Sequence, residues 1–477
     1  MLEKIKFISE GIIMGISLPF FESDNGVLNK AARIATGDIV GNCKPYKAGL
    51  LEEEAICLIA GLDYCTPWNR DTSINAMHAM CLFDSSIVRN SLLSVCTTRD
   101  GKNYAGDKDY WDTMIWAMGA WHYLSLNDDP EFRAFAYDVI KNSLAKFEAE
   151  ELDDDGLFMG GAVYGDGIAA YPDKYAKTAN YGTNIMDWPA ANPDKRSKKG
   201  FGVPMKTLST NCVYYAAYII AGKLAEQLGD DSSEYIAKAQ KTKDAINKNF
   251  WNEETGRYDY LFDDTLRCDH AEALGLSFAM LFGVADDAKC ESIIKNTYVS
   301  DHGIPCVWPS FSRYRIGNDY GRHSGAVWPH AEGFWAVANL RKGNTAGFEK
   351  EFFSLAYKAV RDLQFAEIYH PVTGEVYGGL QERGKEGYFL WKSCQKQSWS
   401  ATAFWAMIFY GIIGIDITDT SIIIKPYLPV SLNHVTLKNL TVGDAEISIT
   451  IDRDSDAPRS IEIPKNLKGK HSFALGF

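Results

Sequence analysis

Helix-period patterning recurs in pairs between residues 70 and 412, and long aperiodic segments follow only every second helix. Apolar residues three and four apart mark helices at 70–82, 85–96, 109–126 and 130–150. Asp129-Pro130 opens the last of these with a capping residue and a proline in the first turn. The pattern resumes at 207–228, 231–249, 268–282, 286–298, 329–342, 345–363 and 396–412. This reads as roughly twelve helices in consecutive hairpins, a mainly α fold whose long loops gather at one mouth. Periodicity alone fits a closed ring or a solenoid. The sequence lacks the fixed repeat length that marks solenoid arrays. After Gly414 the pattern turns β-branched, as in Ala445-Glu-Ile-Ser-Ile-Thr-Ile451. The expected division is therefore 1–415, helical, and 416–477, a small β-rich segment.

Composition narrows the partners. A net charge of −13 argues against nucleic acid or an anionic membrane as the main partner. Ten cysteines without Cys-x-x-Cys or zinc spacing read as scattered thiols, which fits a reducing cytoplasm. The first 21 residues carry Lys4 and Lys6, but Glu10 breaks the apolar run. They read as structure rather than as a cleaved leader. No uncharged apolar run of about 18 residues appears, so a transmembrane helix is not expected. Oligomeric state has no signal.

Acids and aromatic rings cluster between the helices. Thr66-Pro-Trp-Asn-Arg-Asp71 sets Trp68 beside Arg70 and Asp71, a set that can stack on and clamp a sugar. An ordinary helix cap beside a surface arginine fits that segment equally. Tyr110-Trp111-Asp112 has the same two readings. Residues 151–206 lose all periodicity yet stay rich in aromatics, the mark of a functional loop. Within them Asp187, between Met186 and Trp188, could hold a raised pKa and act as a general acid; the alternative is a turn before Pro189. Gly165-Asp-Gly167 reads as a solvated loop, or less readily as a calcium site. Glu367 stands beside Tyr369 and before the turn Pro371-Val-Thr-Gly374, with Gln397-Ser-Trp399 following. Two carboxyls, one protonated and one ionised, suffice to cleave a glycosidic bond. That chemistry needs neither metal nor cofactor, and no P-loop, dinucleotide fingerprint or zinc spacing is present. Among the nine histidines, His323 is the one expected at a pocket.

Taken in order, these segments resemble the six-hairpin (α/α)6-barrel glycosidases, over about residues 60–415. The similarity is greatest to the amylo-α-1,6-glucosidase domain of glycogen debranching enzymes and to processing α-glucosidases. Trp68-Asn-Arg-Asp-Thr72, Asp155-Gly-Leu157, Ile185-Met-Asp187, Tyr320 to Pro329, Glu367 to Gly374 and Gln397 to Ala401 carry it. The resemblance implies an (α/α)6 barrel and an inverting exo-glycosidase, with Asp187 as acid and Glu367 as base. It also implies that Trp68, Arg70, Asp71, Trp111, Asp112, His323 and Trp328 line the terminal-sugar subsite. Trp188, Tyr369 and Trp399 are expected beside them. Asp166, Glu375 and Glu382 are rival acids. The expected partner is an oligosaccharide or small glycoside with an α-linked terminal sugar, glucose first. A rhamnosidase, trehalase or mannosyl hydrolase, a non-catalytic glycan-binding relative and a histidine-based epimerase are the alternatives. The pair of carboxyls should lie about 6.5–9.5 Å apart.

Overall fold

The computed structural model describes residues 12–13, 16–106, 110–179, 183–383 and 386–477. The stretch weighed as a leader lies mostly outside them. Twelve long helices appear among the described residues. They are α1 (Gly26–Asn42), α2 (Asn69–Asn75, continuing through Ala76–Met80 to Cys81–Phe83), α3 (Ser85–Ser94) and α4 (Trp116–Leu126). Next come α5 (Pro130–Glu150), α6 (Leu208–Leu228), α7 (Ser233–Phe250) and α8 (Ala273–Leu281). The last are α9 (Asp287–Asn296), α10 (Pro329–Arg341), α11 (Thr345–Asp362) and α12 (Ser398–Ala406, continuing through Met407–Ile412).

The even-numbered helices close into an inner ring: α2 packs on α4, α4 on α6, and so on to α12, which returns to α2. The odd-numbered helices lie outside. Burial explains the division. Every residue of α10 from Pro329 to Asn339 is buried, as is α8 from Ala273 to Met280. Such helices are covered on all sides. Outer α7 instead buries Ala239, Thr242, Ala245, Ile246 and Phe250, one helical stripe. This is the (α/α)6 barrel, and the solenoid alternative falls with ring closure.

Connections from inner to outer helices are short, such as 127–129 and 342–344. Those from outer to inner are long, such as 151–207 and 297–328. All long loops therefore gather where the inner helices begin. Helix N-termini favour negative charge there.

Two expectations change. Helix α8 starts later than residue 268, because Leu266–Cys268 and Ala271–Glu272 pair as strands at the mouth. Helix α1 carries no apolar pattern strong enough to read, since its buried face is Leu28, Ala31, Ala32, Ala35, Asp38 and Ile39. Alanine contributes little contrast. Asn25 caps the helix by accepting from Val27 and Leu28.

The C-terminal segment forms two sheets. One pairs Ile415–Ile417, Ser421–Ile424 and Ile461–Pro464. The other orders Gly469–Gly476, Ala445–Asp452, His434–Val442 and Phe20–Ser23. Its edge strand comes from the other end of the chain, so residues 416–477 do not build this sheet alone. All ten cysteines are free thiols. No helix among the described residues is long and apolar enough to cross a membrane.

Candidate active site

A cavity of about 360 Å³ opens at the mouth of the ring. Its size falls near the lower end of small-ligand sites. Five of the six inner helices contribute to the cavity wall or lie directly behind it. Trp68, Asn69, Arg70 and Asp71 line it from the start of α2, and Asp112 and Thr113 from the turn before α4. Trp328 lines it just before α10, and Gln397 and Trp399 at the start of α12. Behind it, Ser209 in α6 accepts from Val163. Trp68 holds φ +56° with ψ 142°. For a bulky residue this is a strained conformation, of the kind that functional sites retain.

Glu367 lines the cavity from the segment that follows α11 and is 2% exposed. Three donors converge on its carboxylate: Arg322 Nη2 at 3.0 Å and Tyr64 OH at 3.1 Å on Oε1, and Cys394 N at 3.1 Å on Oε2. Its backbone is fixed as well. Tyr369 exchanges two hydrogen bonds with Val327, at 2.8 and 2.9 Å, tying this segment to the approach to α10. Phe365 N donates to Asp38 of α1 at 2.8 Å.

Arg70 organises the other acids. Its Nη1 lies 3.1 Å from Asp112 Oδ2 and 2.7 Å from Val163 O, and Nη2 lies 3.5 Å from Asp166 Oδ1. Burial pushes the Asp112 carboxyl up to about 6 against the pull of Arg70. Burial pushes Asp71 further, to about 8, with Arg70 opposing and Glu367 adding repulsion. Burial also acts on Asp166, but Arg70 and Arg322 outweigh it and hold that carboxyl below its ordinary value. The Asp166 side chain is 44% exposed, against 7% for Asp112. Burial, with Arg322 adding to it, lowers His323 to about 3, so its imidazole is neutral. It stacks on Trp328 with ring centroids 4.9 Å apart.

Polar atoms around the wall have no partner among the described residues: Asn69 Oδ1, Arg70 Nε, both His323 ring nitrogens, Gln381 Oε1, Gln397 Oε1 and Trp399 Nε1. Buried polar groups are ordinarily paired. A ring of unpaired donors and acceptors suits a polyhydroxylated ligand.

The cavity brings together Trp68, Arg70, Asp71, Asp112, His323, Trp328, Glu367 and Trp399. Four expected residues lie elsewhere. Asp187 is exposed at the end of the turn Ile185–Asp187, while its neighbour Met186 faces the cavity. Asn184 caps that turn by accepting from Met186 N, which sets Met186 inward and the next side chain outward. Trp188 is buried behind the wall, donating to Thr178 Oγ1 at 2.8 Å and packing on Tyr175. Trp111 is buried too, donating to Ala162 O and supporting the loop that carries Asp166. Tyr369 lies under the Glu367 segment, its hydroxyl accepting from Ala366 N. Of the rival acids, Asp166 lines the cavity. Glu382 is tied to Arg313 and Tyr314, and Glu375 is exposed.

Sequence reasoning missed Tyr64, Tyr164, Arg322, Gln381 and Trp391 as lining residues, while Tyr110, singled out with Asp112, does line the cavity. Gly165-Asp-Gly167 was the readable signal for Asp166. A Cβ on Gly167 would come within 2.9 Å of Gln381 Oε1 and 3.0 Å of His323 Cε1. The glycine thus permits the close approach that puts Asp166 on the wall. Among the described residues no group of three or more His, Cys, Asp or Glu is placed to hold a metal ion.

Residues 80–400 match the family model described as the mannosylglycerate hydrolase MGH1-like glycoside hydrolase domain. A mannosylglycerate hydrolase of Rubrobacter radiotolerans is 29% identical over 168 residues. That match takes in 33% of this chain and 36% of the relative, so it spans about a third of that protein. Among solved structures, a sialidase aligns with TM-score 0.69 at 14% identity over 94% of this chain and 40% of that one. The GH63 mannosylglycerate hydrolase of Thermus thermophilus, in complex with glucose, aligns with TM-score 0.55 at 15% identity. It covers 79% of this chain and 99% of that one. The GH78 rhamnosidase of Bacillus sp. GL1 aligns with TM-score 0.58 at 14% identity, over 96% and 44%. These likenesses establish the six-hairpin fold. The family that matches is not that of the debranching enzymes, which corrects the expected affiliation.

Proposed function

Because this chain belongs to the mannosylglycerate hydrolase MGH1-like glycoside hydrolase domain family, we propose that it hydrolyses a small glycoside with inversion, releasing a terminal α-linked hexose. The observation that carries the reading is one cavity lined by both Glu367 and Asp166, with unpaired polar atoms around its wall. Glu367 is the base. Its carboxylate, oriented by Arg322, Tyr64 and Cys394 N, takes a proton from the attacking water. Asp166 is the acid and protonates the leaving oxygen, the role expected from sequence for Asp187. In the free site Asp166 rests ionised beside Arg70. A sugar seated against Asp166 removes the water that solvates its carboxylate, and that desolvation favours the protonated form against the pull of Arg70. Arg70, Asp71 and Asp112 hold hydroxyls, and the partly exposed Trp68 covers the ring. Among the relatives, the mannosylglycerate hydrolases, one of them in complex with glucose, favour mannose or glucose as the terminal sugar.

One observation favours a second proton donor. Asp71 lines the same cavity and, pushed up to about 8, holds a proton at neutral pH. The two readings separate on leaving groups, because loss of the acid spares substrates that leave without protonation.

The test is a panel of α-linked glucosides and mannosides, with disaccharide, glycerate and aryl aglycones, and the first product anomer read by proton NMR. The expected product is the β-anomer. Release of the α-anomer overturns the inverting pair, and no cleavage across the panel overturns the hydrolase reading.

A further inference from the structure

The mouth of the cavity differs in chemistry from its floor. Trp391 lines the mouth and is 38% exposed. The Arg322 guanidinium lies 5.0 Å from the Trp391 ring and 5.0 Å from that of Trp328. Arg322 is thus held between two rings while it pairs with Glu367, and the Trp391 ring, which also packs on Phe389, keeps an exposed part. Backbone fixes this indole. Trp391 N donates to Gly379 O at 2.8 Å, and a Cβ on Gly378 would fall 1.4 Å from Trp391 O. Only glycine admits that approach, so the platform is built into the chain path.

Charge at the site is equally specific. The cations among the described lining residues are Arg70 and Arg322, and each is already within 3.5 Å of a carboxylate. Four acids share the same wall. An anionic aglycone entering here would meet carboxylates without an unpaired cation among these residues, at a cost in desolvation and repulsion. A neutral ring would instead find an aromatic face of the kind that stacks on apolar ring surfaces.

We propose that the aglycone recognised by this site is a second neutral sugar stacked on Trp391, so that the substrate is a disaccharide rather than a glycoside of a small hydroxy acid. The proposal rests on the glycoside-hydrolase reading above and narrows it. It also parts from the substrate for which the mannosylglycerate hydrolases are named.

The experiment uses sulfur-linked analogues, which bind without being cleaved. Wild type, Trp391→Ala and Trp391→Phe are titrated by calorimetry with a thio-linked hexosyl disaccharide, a thio-linked hexosylglycerate and the free hexose, in gluco and manno forms. The disaccharide analogue is expected to bind wild type about tenfold tighter than the glycerate analogue. Trp391→Ala should bring the two within about twofold, and Trp391→Phe should keep part of the preference. Free hexose binding is measured for each variant, and the preference is read as the disaccharide-to-glycerate ratio, which is independent of any change at the floor shared by both analogues. Equal or tighter binding of the glycerate analogue overturns the aglycone inference alone. So does a ratio that Trp391→Ala leaves unchanged. Failure of both analogues and the free hexoses to bind overturns the underlying reading as well.

Discussion

Arg322 Nη2 lies 3.0 Å from Glu367 Oε1, and the guanidinium that makes this contact is flanked by the Trp328 and Trp391 rings. A planar fork between two aromatic faces has little freedom, so the base inherits its orientation from a rigid neighbour. Arg322→Lys keeps the charge but loses the stacked plane. Turnover is expected to fall by about 10²-fold, the loss that follows small misplacement of a catalytic group. Arg322→Leu should fall further, with the fold intact by circular dichroism. Steady-state kinetics on an unactivated glycoside checks this; near wild-type turnover in Arg322→Lys would remove Arg322 from its positioning role.

Three carboxyl replacements separate the roles. Glu367→Gln is expected to lose at least about 10³-fold on every substrate, since neither leaving-group chemistry nor binding supplies a base. Asp166→Asn should lose a similar factor on alkyl glycosides and far less on a dinitrophenyl glycoside. Asp187→Asn should remain within about twofold of wild type, because its carboxylate is exposed outside the cavity lining. If Asp187→Asn alone shows the leaving-group dependence, the acid is Asp187 and the loop must rearrange around substrate.

Asp71 gives a pH signature in stability. Its folded value of about 8 lies above the ordinary 3.8, so folding favours the protonated form. That contribution is complete below pH 3.8 and drains as pH rises to about 8, by at most about 1.4 kcal/mol per pH unit. Asp71→Asn has no proton to lose and keeps a group to meet Gln397, whose amide now lies 3.2 Å from Asp71 Oδ1. Urea melts between pH 5 and 8 should show the variant gaining on wild type as pH rises. A constant or shrinking difference would mean that Asp71 is ionised when folded.

Trp68 stores strain at φ +56°. Trp68→Gly and Trp68→Ala both remove the ring, so both should weaken sugar binding alike. Only glycine adopts that backbone without penalty. Trp68→Gly is therefore expected to be the more stable by about 1 kcal/mol, the strain relieved less the entropy that glycine costs. Equal stabilities would show that the backbone relaxes once the indole is gone.

The barrel was readable because its helices carry contrast. Asp129-Pro130 marked the start of α5, and Gly229, in the left-handed region, ended α6 near its expected boundary. Helix α1 was not readable, since its packing face is alanine and a buried aspartate. Glu367 stood out because turn and aromatics surround it. The choice between Asp166 and Asp187 could not be made from spacing, since both lie in one aperiodic loop. It turns on which neighbour is small enough to let the backbone approach His323, and on a short turn that points Met186 inward. The contribution of Arg322 was hidden for another reason: its partners Glu367 and Trp391 are distant in sequence.

The first helix and the last inner helix are neighbours in the finished ring, α1 packing on both α11 and α12. During synthesis at about 5–20 residues per second, α1 emerges on the order of half a minute before α12 does. Asp38, the α1 residue that holds Phe365 N, has nothing to hold until residue 365 is made. A nascent chain stalled short of residue 398 would present an open horseshoe with a bare Ala31–Ala35 face. The enzyme comes into being only with its final hairpin, and premature termination should yield a client of chaperones, not a weaker catalyst.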